Sequence, residues 1–366
     1  QLEHGISLPA RGLLKAYRLC KSGSLEKIPL PNLDLIRHFT RVLPVVMEVR
    51  FKISNFSKCL LAVLCFLTGI TQGRESYIAV ESYSGKIVLE LNADKRRPVA
   101  SLTKIATAMV VLDWAKLSGT SMAEIAIVPQ GTSLIGGFNP MGLIPGDRIS
   151  LREAMYSMLL GSDNVAAATL ADHAGRSIQS RSGGLSPEAA FVTEMNNLAR
   201  GLGMQQTRFV NSHGMDGSRS QGISTARDMA RLAIYAMRNP GFQFYVKQTV
   251  RTISSFRFNQ KRSFKVRNTH AMIGRGNVNG IKSGSTTQAG PCAATSSEKK
   301  PIVRKLPTGG TQLTGRRLIT IALGSPDRWG ITQTLINQGW AAYDNWQLQG
   351  RPVQEARELL IVSKPQ

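Results

Sequence analysis

An apolar run of eleven residues, Ile105 to Ala115, limits the possible folds of this chain more than any other part of its sequence. The run is apolar on nearly every side of a helical projection, so it predicts a buried helix rather than a surface one. Polar groups collect just before it, where Ser101 and Lys104 lie three residues apart. Residues at this spacing share one helix face, so the lysine amine can reach the serine hydroxyl. We therefore expect a central helix whose first turn carries the polar side chains.

Serine and lysine at this spacing are typical of a nucleophile and its base. A serine hydroxyl is a weak nucleophile until a neighbour removes its proton. Lys104 can do so only as a neutral amine, which requires a pKa far below the ordinary value of about 10.4. Burial and a second nearby cation would both lower that pKa, and helix N-terminal N–H groups would face an oxyanion at Ser101. The spacing alone also fits a capping serine beside an exposed lysine.

Composition narrows the possible partners. The 366 residues include 46 basic and 23 acidic side chains, which gives a formal net charge of +23. No basic helix, aromatic-interleaved basic stretch or zinc-ligand spacing accompanies this charge, so nucleic acid is not the expected partner. An anionic polymer or membrane surface of the cell envelope fits better, although a merely solvated basic surface would have the same composition. The five histidines show no metal-ligand spacing, so we expect neither a metal nor another cofactor.

The N-terminal residues predict an export signal. Basic residues precede the apolar run Cys59–Ile70, which is too short to span a bilayer comfortably. Small residues follow up to Gly73, so residues 47–73 are typical of a secretory signal peptide, and residues 1–46 are expected to be an extension without a role in the fold. The predicted location is the periplasm or cell envelope, outside the cytoplasmic membrane. Only Cys292 follows this signal, so no internal disulfide is expected.

Beyond residue 74, the sequence predicts helices in the middle and strands toward both ends. A hairpin over 77–91 comes first. Ser150 with Glu153 forms a capping box at the start of the helix at 151–160. The polar stretch from Ser296 to Gly315 is expected to be a long mobile loop. After the helix at Ser101, the expected elements are a strand at 125–128, helices at 151–160, 165–174, 187–202 and 225–238, strands at 249–253, 263–266, 278–282, 290–295 and 317–323, and an amphipathic helix at 331–346 with Leu335, Ile336, Trp340, Tyr343 and Trp346 in the core.

Two further polar motifs lie where predicted elements meet. Ser162 and Asn164 stand at a tight junction between two helices, where they could equally be caps. The tripeptide 282–284, Lys-Ser-Gly, ends a strand. A strand edge can pair with an extended peptide, a lysine offers a cation to a carboxylate, and a glycine lets a ligand approach closely. Each motif alone is a weak signal, whereas the three in this order are a strong one.

In this order the motifs resemble those of penicillin-binding proteins and class A β-lactamases. Roughly residues 77–345 resemble one branch, the D-alanyl-D-alanine carboxypeptidases, which are low-molecular-weight penicillin-binding proteins of serine peptidase family S11. This resemblance implies a mixed α/β (α+β) fold of the β-lactamase/transpeptidase type, an antiparallel sheet flanked by helices with a mostly helical part at about 101–238. The stretches that carry it are Pro98–Lys104, Pro145–Asp147, Gly161–Asn164, Phe191–Phe209, Asn211–Gly217, Ser224–Met229 and Gly280–Gly284.

The resemblance also implies the catalytic roles. Ser101 corresponds to the acylated nucleophile and Lys104 to its general base. Ser162 would relay the proton to the leaving D-alanine. The implied substrates are peptidoglycan stem peptides, and the implied inhibitors are β-lactams.

The implied substrate contacts come from other segments. Asn164 would bind a backbone carbonyl, Lys282 would support the proton relay electrostatically, and Ser283, which replaces the commoner threonine, would bind the terminal carboxylate. The backbone N–H of Ser285, with that of the nucleophile, would form the oxyanion hole. Arg328, shortly after the last strand, would help to hold the carboxylate. The substrate-binding residues implied are Asn164, Lys282, Ser283, Gly284, Ser285 and Arg328.

The resemblance leaves alternatives to D-alanine trimming. About eighty residues follow Lys282, too few for the family's second β-rich domain and amphipathic anchor, so residues 347–366 are expected to be a tail. Some one-domain relatives cut cross-links, which makes a DD-endopeptidase an alternative. A class A β-lactamase would need a Glu-x-x-Leu-Asn sequence, which Glu194–Leu198 does not match. A wall-binding module without catalysis is a further alternative, although all the polar groups of the site are present.

Overall fold

Two antiparallel sheets organise the computed structural model, which describes residues 75–182, 186–217 and 221–363. These residues all lie in the compact unit Thr71–Gln366. The predictions for residues 1–46 and 47–73, including those about the cysteines there, fall outside the described residues. The mixed fold with antiparallel sheets and flanking helices is confirmed.

The larger sheet joins the first hairpin to the last strands. Its strand order is β2-β1-β9-β8-β7, and Tyr77 on the first strand lies opposite Ala322 on the last. The first and last strands of the chain therefore pair in one sheet, and β7 lies at its edge. The strands are β1 (Ser76–Glu81), β2 (Ile87–Leu91), β7 (Val278–Thr286), β8 (Gly290–Lys305) and β9 (Thr311–Leu323).

Successive side chains of a strand point to opposite faces, and the two faces of this sheet have separate cores. Ile78 and Ile321 belong to the larger core, on the side of the central helices. Ala79 and Leu318 belong to a smaller core beneath helix α7 (Arg328–Leu348). The core residues predicted on this helix are confirmed as buried: Leu335, Ile336, Trp340, Tyr343 and Trp346.

The central helix is buried as the apolar run predicts. It is α1 (Lys104–Ser118), and every residue from Lys104 to Ala115 is buried except Leu112 and Asp113. Gly119 closes it with a φ of 69°, a conformation that glycine adopts without strain. The helices that surround it are α2 (Leu151–Leu160), α3 (Asn164–Ser182), α4 (Pro187–Gly201), α5 (Ala226–Ala236) and α6 (Pro240–Val246).

A second, four-stranded sheet lies next to the helical junction at Ser162. Its order is β3-β4-β5-β6, and β5 with β6 forms a long hairpin. Val266 packs so closely on Gly161 that a side chain at that glycine would collide with it. The strands are β3 (Ile125–Ile127), β4 (Arg148–Ser150), β5 (Val250–Arg257) and β6 (Gln260–Arg267).

The prediction of a long mobile loop from Ser296 to Gly315 is wrong. Strands β8 and β9 continue through this stretch, and only residues 306–310 form the turn between them. The pairing has a register shift between Lys299 and Ile302, so Pro301 falls at the irregularity. A proline is tolerated there because no regular ladder hydrogen bond is required of it. Backbone pairing thus overrides the polar, proline-containing composition.

Three smaller predictions also need correction. Helix α3 extends to Ser182, beyond the predicted end at residue 174, and α6 was not predicted. The start of α6 is nevertheless marked, because Asn239 caps it and Pro240 opens it. The capping box is half formed. Ser150 Oγ accepts a hydrogen bond from the Glu153 N–H, but the Glu153 carboxylate accepts one from the Ser254 N–H of β5 instead of reaching back.

Part of the predicted C-terminal tail is attached to the first hairpin. The Leu360 N–H donates to the Gly85 carbonyl at 2.7 Å, and the Leu360 side chain is buried. Lys86 forms an ion pair with Glu358. Among the described residues, no helix has the length and apolar character needed to cross a membrane.

Candidate active site

Ser101 and Lys104 lie together as their spacing predicts, although not in one α-helix. Residues Ala100–Thr103 form a 3₁₀ turn, and α1 begins at Lys104. The tighter turn still places the two side chains on one side, with Lys104 Nζ 3.0 Å from Ser101 Oγ. Ala100 has a φ of +48°, a strained value for a residue with a Cβ. The turn therefore presents Ser101 at a strained corner between the sheet and the central helix.

Three oxygens from three segments surround the Lys104 amine. Nζ lies 3.0 Å from Ser101 Oγ, 2.7 Å from Asn164 Oδ1 and 2.6 Å from the His213 carbonyl oxygen. The amide and carbonyl oxygens can only accept hydrogen bonds. A neutral amine has two N–H groups and one lone pair, so donation to both of these oxygens directs the lone pair at Ser101 Oγ. The geometry suits removal of the serine proton.

The electrostatics favour that neutral amine. Lys104 is fully buried, and burial lowers its pKa well below the ordinary value. The charge of Lys282 lowers the pKa further, whereas Asp163 opposes the shift. A buried cation next to another cation loses its proton more easily. Burial therefore favours the neutral form of Lys104, which a base requires.

At the junction between α2 and α3, one residue caps a helix and another points to the site. Asp163 has the capping role, since its Oδ1 accepts from the Ala166 N–H and its Oδ2 from Ser157 Oγ. Ser162 is buried with a φ of +60°, so the turn is tight. Asn164 points to the site, with Oδ1 on the lysine amine and Nδ2 donating to the Gly136 carbonyl at 2.7 Å. Nδ2 keeps a second hydrogen for another acceptor.

The third motif lies against Ser101 through Gly284. A Cβ on Gly284 would fall 2.7 Å from the Ser101 nitrogen, so only glycine lets β7 approach the 3₁₀ turn. This glycine therefore makes room for the turn, and its expected role in admitting a ligand stays a prediction. Ser283 Oγ donates to Thr269 Oγ1 at 3.2 Å, and Lys282 Nζ donates to the Ser283 carbonyl at 2.7 Å. Ser285 follows on the same strand.

Arg328 lies beside this motif. It opens α7, and its guanidinium donates to the Gly284 carbonyl at 2.8 Å while stacking on Trp329. Burial lowers the pKa of Lys282 to about 7, and the charge of Arg328 adds to that effect. The charge of Arg328 thus lowers the pKa of Lys282, and the charge of Lys282 in turn lowers the pKa of Lys104.

Sequence reasoning missed the part that the loop Asn211–Gly217 plays in the site. Its His213 carbonyl accepts from Lys104, and Gly214 lies where a Cβ would be 2.1 Å from the Ala100 carbonyl. Asp216 accepts from Thr286 Oγ1 at 2.9 Å, which joins the loop to the end of β7. Only the family resemblance marked this loop, because a backbone carbonyl leaves no signal in side-chain chemistry.

Thr269 and His270 were also missed. Besides meeting Ser283, Thr269 donates its N–H to the Leu160 carbonyl at 2.9 Å, which connects the second and third motifs. His270 is buried against Thr295 and the ring of Trp329. Burial, with the charge of Lys282, lowers the pKa of His270 to about 3, so it is neutral. Within the described ranges, no group of three or more His, Cys, Asp or Glu side chains could hold a metal ion.

Comparison with known proteins agrees with this geometry. The sequence model of the family described as D-alanyl-D-alanine carboxypeptidase, peptidase S11, matches residues 71–305. The chain is 34% identical over 219 residues to a D-alanyl-D-alanine endopeptidase of Pseudomonas aeruginosa, covering 59% of this chain and 64% of that protein. It is 30% identical over 263 residues to the D-alanyl-D-alanine carboxypeptidase DacA of Escherichia coli, covering 70% of this chain and 61% of that protein.

Solved structures share the fold. The Streptomyces K15 DD-transpeptidase aligns with a TM-score of 0.60 and 26% identity, covering 72% of this chain and 96% of that one. Penicillin-binding protein D2 of Listeria monocytogenes, in its ampicillin-bound form, aligns with a TM-score of 0.58 and 26% identity, again over 72% and 96%. The chain therefore spans nearly all of these structures but under two thirds of the two curated relatives.

Proposed function

The chain belongs to the D-alanyl-D-alanine carboxypeptidase family of serine peptidases, and we propose that it removes the terminal D-alanine from peptidoglycan stem peptides. The observation that carries this proposal is the buried pair of Ser101 and Lys104. A neutral amine with its lone pair directed at a serine hydroxyl is the arrangement that acyl transfer requires. A wall-binding module would gain nothing from burying a lysine in this way.

Acylation would begin when Lys104 Nζ takes the proton of Ser101 Oγ. The oxygen would attack the carbonyl carbon of the penultimate D-alanine, and the negative oxygen formed would accept hydrogen bonds from the backbone N–H groups of Ser101 and Ser285. The peptide C–N bond would then break. The leaving D-alanine would receive the proton from Lys104 through Ser162, and an ester on Ser101 would remain. Water would hydrolyse that ester and restore the hydroxyl.

Substrate recognition would use the remaining polar groups. The free N–H of Asn164 Nδ2 would donate to a backbone carbonyl of the stem peptide. The terminal carboxylate would lie near Ser283 and the positive field of Lys282 and Arg328. The edge of β7 would pair with the extended peptide. β-Lactams would acylate Ser101 in the same way, which fits the antibiotic-bound forms of penicillin-binding protein D2 of Listeria monocytogenes.

A specific observation favours a second candidate. Two relatives in the comparison, from Pseudomonas aeruginosa and Escherichia coli, are named D-alanyl-D-alanine endopeptidase, at 34% and 31% identity. Cleavage of a cross-link uses the same acyl-enzyme, with a second stem peptide as the leaving group. Incubation with a cross-linked muropeptide dimer would distinguish the two, because only the endopeptidase yields monomers.

We also propose that the chain is exported and acts in the periplasm or cell envelope. The proposal is supported by the apolar run Cys59–Ile70, the small residues that end at Gly73 and the nature of the proposed substrate. Intact mass of the protein recovered from the envelope fraction tests it. A mature chain that begins after Gly73 is expected, and recovery of the unprocessed chain from the cytosol would contradict it.

The central experiment is incubation with a penicillin while intact mass is followed over time. We expect a long-lived adduct of one drug per chain that is absent from Ser101→Ala and retained by Ser133→Ala, which changes an exposed serine. Labelling that persists in Ser101→Ala would refute the nucleophile. Rapid drug hydrolysis with a transient adduct would instead indicate a β-lactamase, and the absence of any adduct would indicate a module without catalysis.

A further inference from the structure

Strands β8 and β9 project beyond the sheet as a two-stranded ribbon. β7 pairs with β8 only as far as Ser297, and β1 pairs with β9 only from Leu318 onward. Past these points β8 and β9 pair with each other alone, down to the pair Lys305 and Thr311. We call residues 300–315 the ribbon. Its two strands and turn lie outside the active site described above.

The base of the ribbon is anchored to helix α7. Lys299 Nζ lies 2.7 Å from Asp344 Oδ2 and over the ring of Trp340, and Arg316 lies 3.6 Å from the same carboxylate. The register shift between Lys299 and Ile302 follows directly. Such an irregularity bends a strand pair and increases its twist. The ribbon therefore leaves the domain in a direction set by its base.

One face of the ribbon exposes apolar side chains. Val303 and Leu313 are directly opposite each other, so they share a face, and they are 62% and 67% exposed. Leu306, at the turn, is 39% exposed. Scattered apolar side chains are normal on a protein surface, but a contiguous exposed group indicates an interaction site. Val303 and Leu313 each keep more than half of their surface open to solvent.

The same ribbon is strongly basic. Lys300, Arg304 and Lys305 are exposed, and none of the three is in an ion pair among the described residues. Lys305 lies opposite Thr311, so it shares the face of the apolar pair. The sequence contains no Asp or Glu from Lys299 to Pro326. The apolar tip is thus flanked by cations with no local carboxylate to neutralise them.

We propose that the ribbon docks on an anionic lipid bilayer. Val303, Leu306 and Leu313 would enter the boundary between headgroups and acyl chains, while the three cations meet lipid phosphates. Interfacial binding grows with the apolar area buried and with attraction to anionic lipids. The ribbon supplies both, with Val303, Leu313 and Lys305 on one face and Arg304 on the opposite face. A hydrated anionic polymer would use the cations but would leave the apolar pair in water, so the lipid surface is the better match.

The hairpin of β5 and β6 offers a matched control within the chain. Its tip carries one apolar side chain, Phe258, which is 92% exposed. Lys261, Lys265 and Arg267 are exposed along one face of β6, and they lie at positions of the same parity, as a shared strand face requires. The two hairpins are therefore similar in charge. They differ in the apolar group, which has three members on the ribbon and one here.

The test places a tryptophan at each tip of the full-length chain, in Leu306→Trp and Phe258→Trp. Each protein is mixed with phosphatidylglycerol and phosphatidylcholine vesicles whose acyl chains are brominated, which quench tryptophan only where it enters the bilayer. We expect strong quenching of the tryptophan introduced at position 306 and none of that at position 258, each relative to the unsubstituted chain. The readout is local, so binding by another part of the chain does not produce it.

The charges are tested in the Leu306→Trp background. Replacing Lys300, Arg304 and Lys305 by glutamine should weaken the vesicle titration on the order of a hundred-fold, because each cation near an anionic surface contributes a factor of roughly five. The matched replacement of Lys261, Lys265 and Arg267 by glutamine should leave it unchanged. Phosphatidylcholine vesicles alone should give no quenching.

Several outcomes would overturn the proposal. An unquenched tryptophan at position 306, equal quenching at both tips, or equal loss from the two triple replacements would each do so. A blue-shifted tryptophan at position 306 without vesicles, with a dimer by light scattering, would show that a second copy covers the ribbon instead. Release of D-alanine from a soluble peptide is measured on the same proteins and should not change, so this proposal and the proposed activity fail separately.

Discussion

The two buried lysines of the site differ in how they are held. Lys104 meets three oxygens that come from the 3₁₀ turn, from α3 and from the loop at His213. Lys282 donates to the carbonyl of Ser283, the next residue of its own strand. Both side chains have almost no exposure, and burial is the largest cause of the lowered pKa in each. The two amines are thus equally buried but differ in their hydrogen-bond partners.

This difference suggests different functions for the two amines. The contacts of Lys104 orient a lone pair, and burial of its amine favours the neutral form. Lys282 has a pKa of about 7, so near neutral pH it still carries part of a positive charge. A base must be neutral, whereas a group that attracts a carboxylate must be charged. Burial lowers the pKa of both lysines. The charge of Arg328 lowers that of Lys282 further, and the charge of Lys282 lowers that of Lys104 further.

Removing the Lys104 amine should have the largest effect. In Lys104→Met, the side chain keeps its volume but the base is lost, so the rate of penicillin acylation should fall by about 10⁴–10⁶, the range seen for residues that act as a unit. Stopped-flow or mass-based acylation rates measure it. The control is Lys116→Met, on the exposed end of the same helix. A Lys104→Met protein that reacts at the unsubstituted rate would refute the base.

Loss of Asn164 tests whether orientation matters separately from burial. In Asn164→Ala the amine loses one of its two accepting oxygens, so its lone pair is no longer directed at Ser101, and acylation should slow by about a hundred-fold. Asn197→Ala, which changes an amide outside the site on α4, serves as the matched control. Equal rates in the two variants would show that the Lys104 lone pair needs no such partner.

The buried Lys282 should also make the free energy of unfolding depend on pH. Its folded pKa of about 7 lies below the unfolded value near 10.5, so the unfolded state binds more protons between these pH values, and stability rises with pH there. Relative to Lys282→Met, the unfolding free energy of the unsubstituted chain should gain roughly 2 kcal/mol between pH 7 and pH 9. Urea denaturation at both pH values measures it. Parallel changes in the two proteins would contradict the shift.

Arg328 should have the smallest effect. Arg328→Gln removes the cation that lowers the Lys282 pKa, so that pKa should rise and the alkaline limb of kcat/KM should move to higher pH. The lost attraction for the substrate carboxylate should lower kcat/KM by roughly tenfold, as for one charge-assisted contact. Lys265→Gln, on the exposed face of β6, is the control. A lower kcat/KM with an unmoved pH profile would separate substrate binding from control of Lys282.

Local patterns in the sequence were enough for several parts of this molecule. The buried helix α1, the hairpin of β1 and β2, and the pairing of Ser101 with Lys104 depend on neighbours within a few residues. Periodicity and spacing report such neighbours directly. The core residues of α7 follow from the same rule. The three short motifs in order then indicated the family and the fold.

Other parts depended on residues distant in the sequence. The length of β8 and β9 is set by their pairing with each other, which overrode a polar composition that alone suggested a loop. The Glu153 carboxylate accepts a hydrogen bond from the Ser254 N–H of β5 rather than from the N-terminus of its own helix. The glycine at position 284 proved to make room for the nitrogen of Ser101. Each outcome was decided by a partner that no local window contains.

Residue types, their spacing and the order of the three motifs were enough to indicate which side chains could do chemistry and that they would meet in an acyl-transfer fold. The orientation of the Lys104 amine and the lowering of its pKa follow only from the way the chain packs. Its partners are the Asn164 amide and a backbone carbonyl of His213, far along the chain. A pKa and a lone-pair direction depend on burial and on the oxygens that surround the atom. Burial and the positions of those oxygens depend on tertiary packing, which the spacing of residues along the chain does not specify.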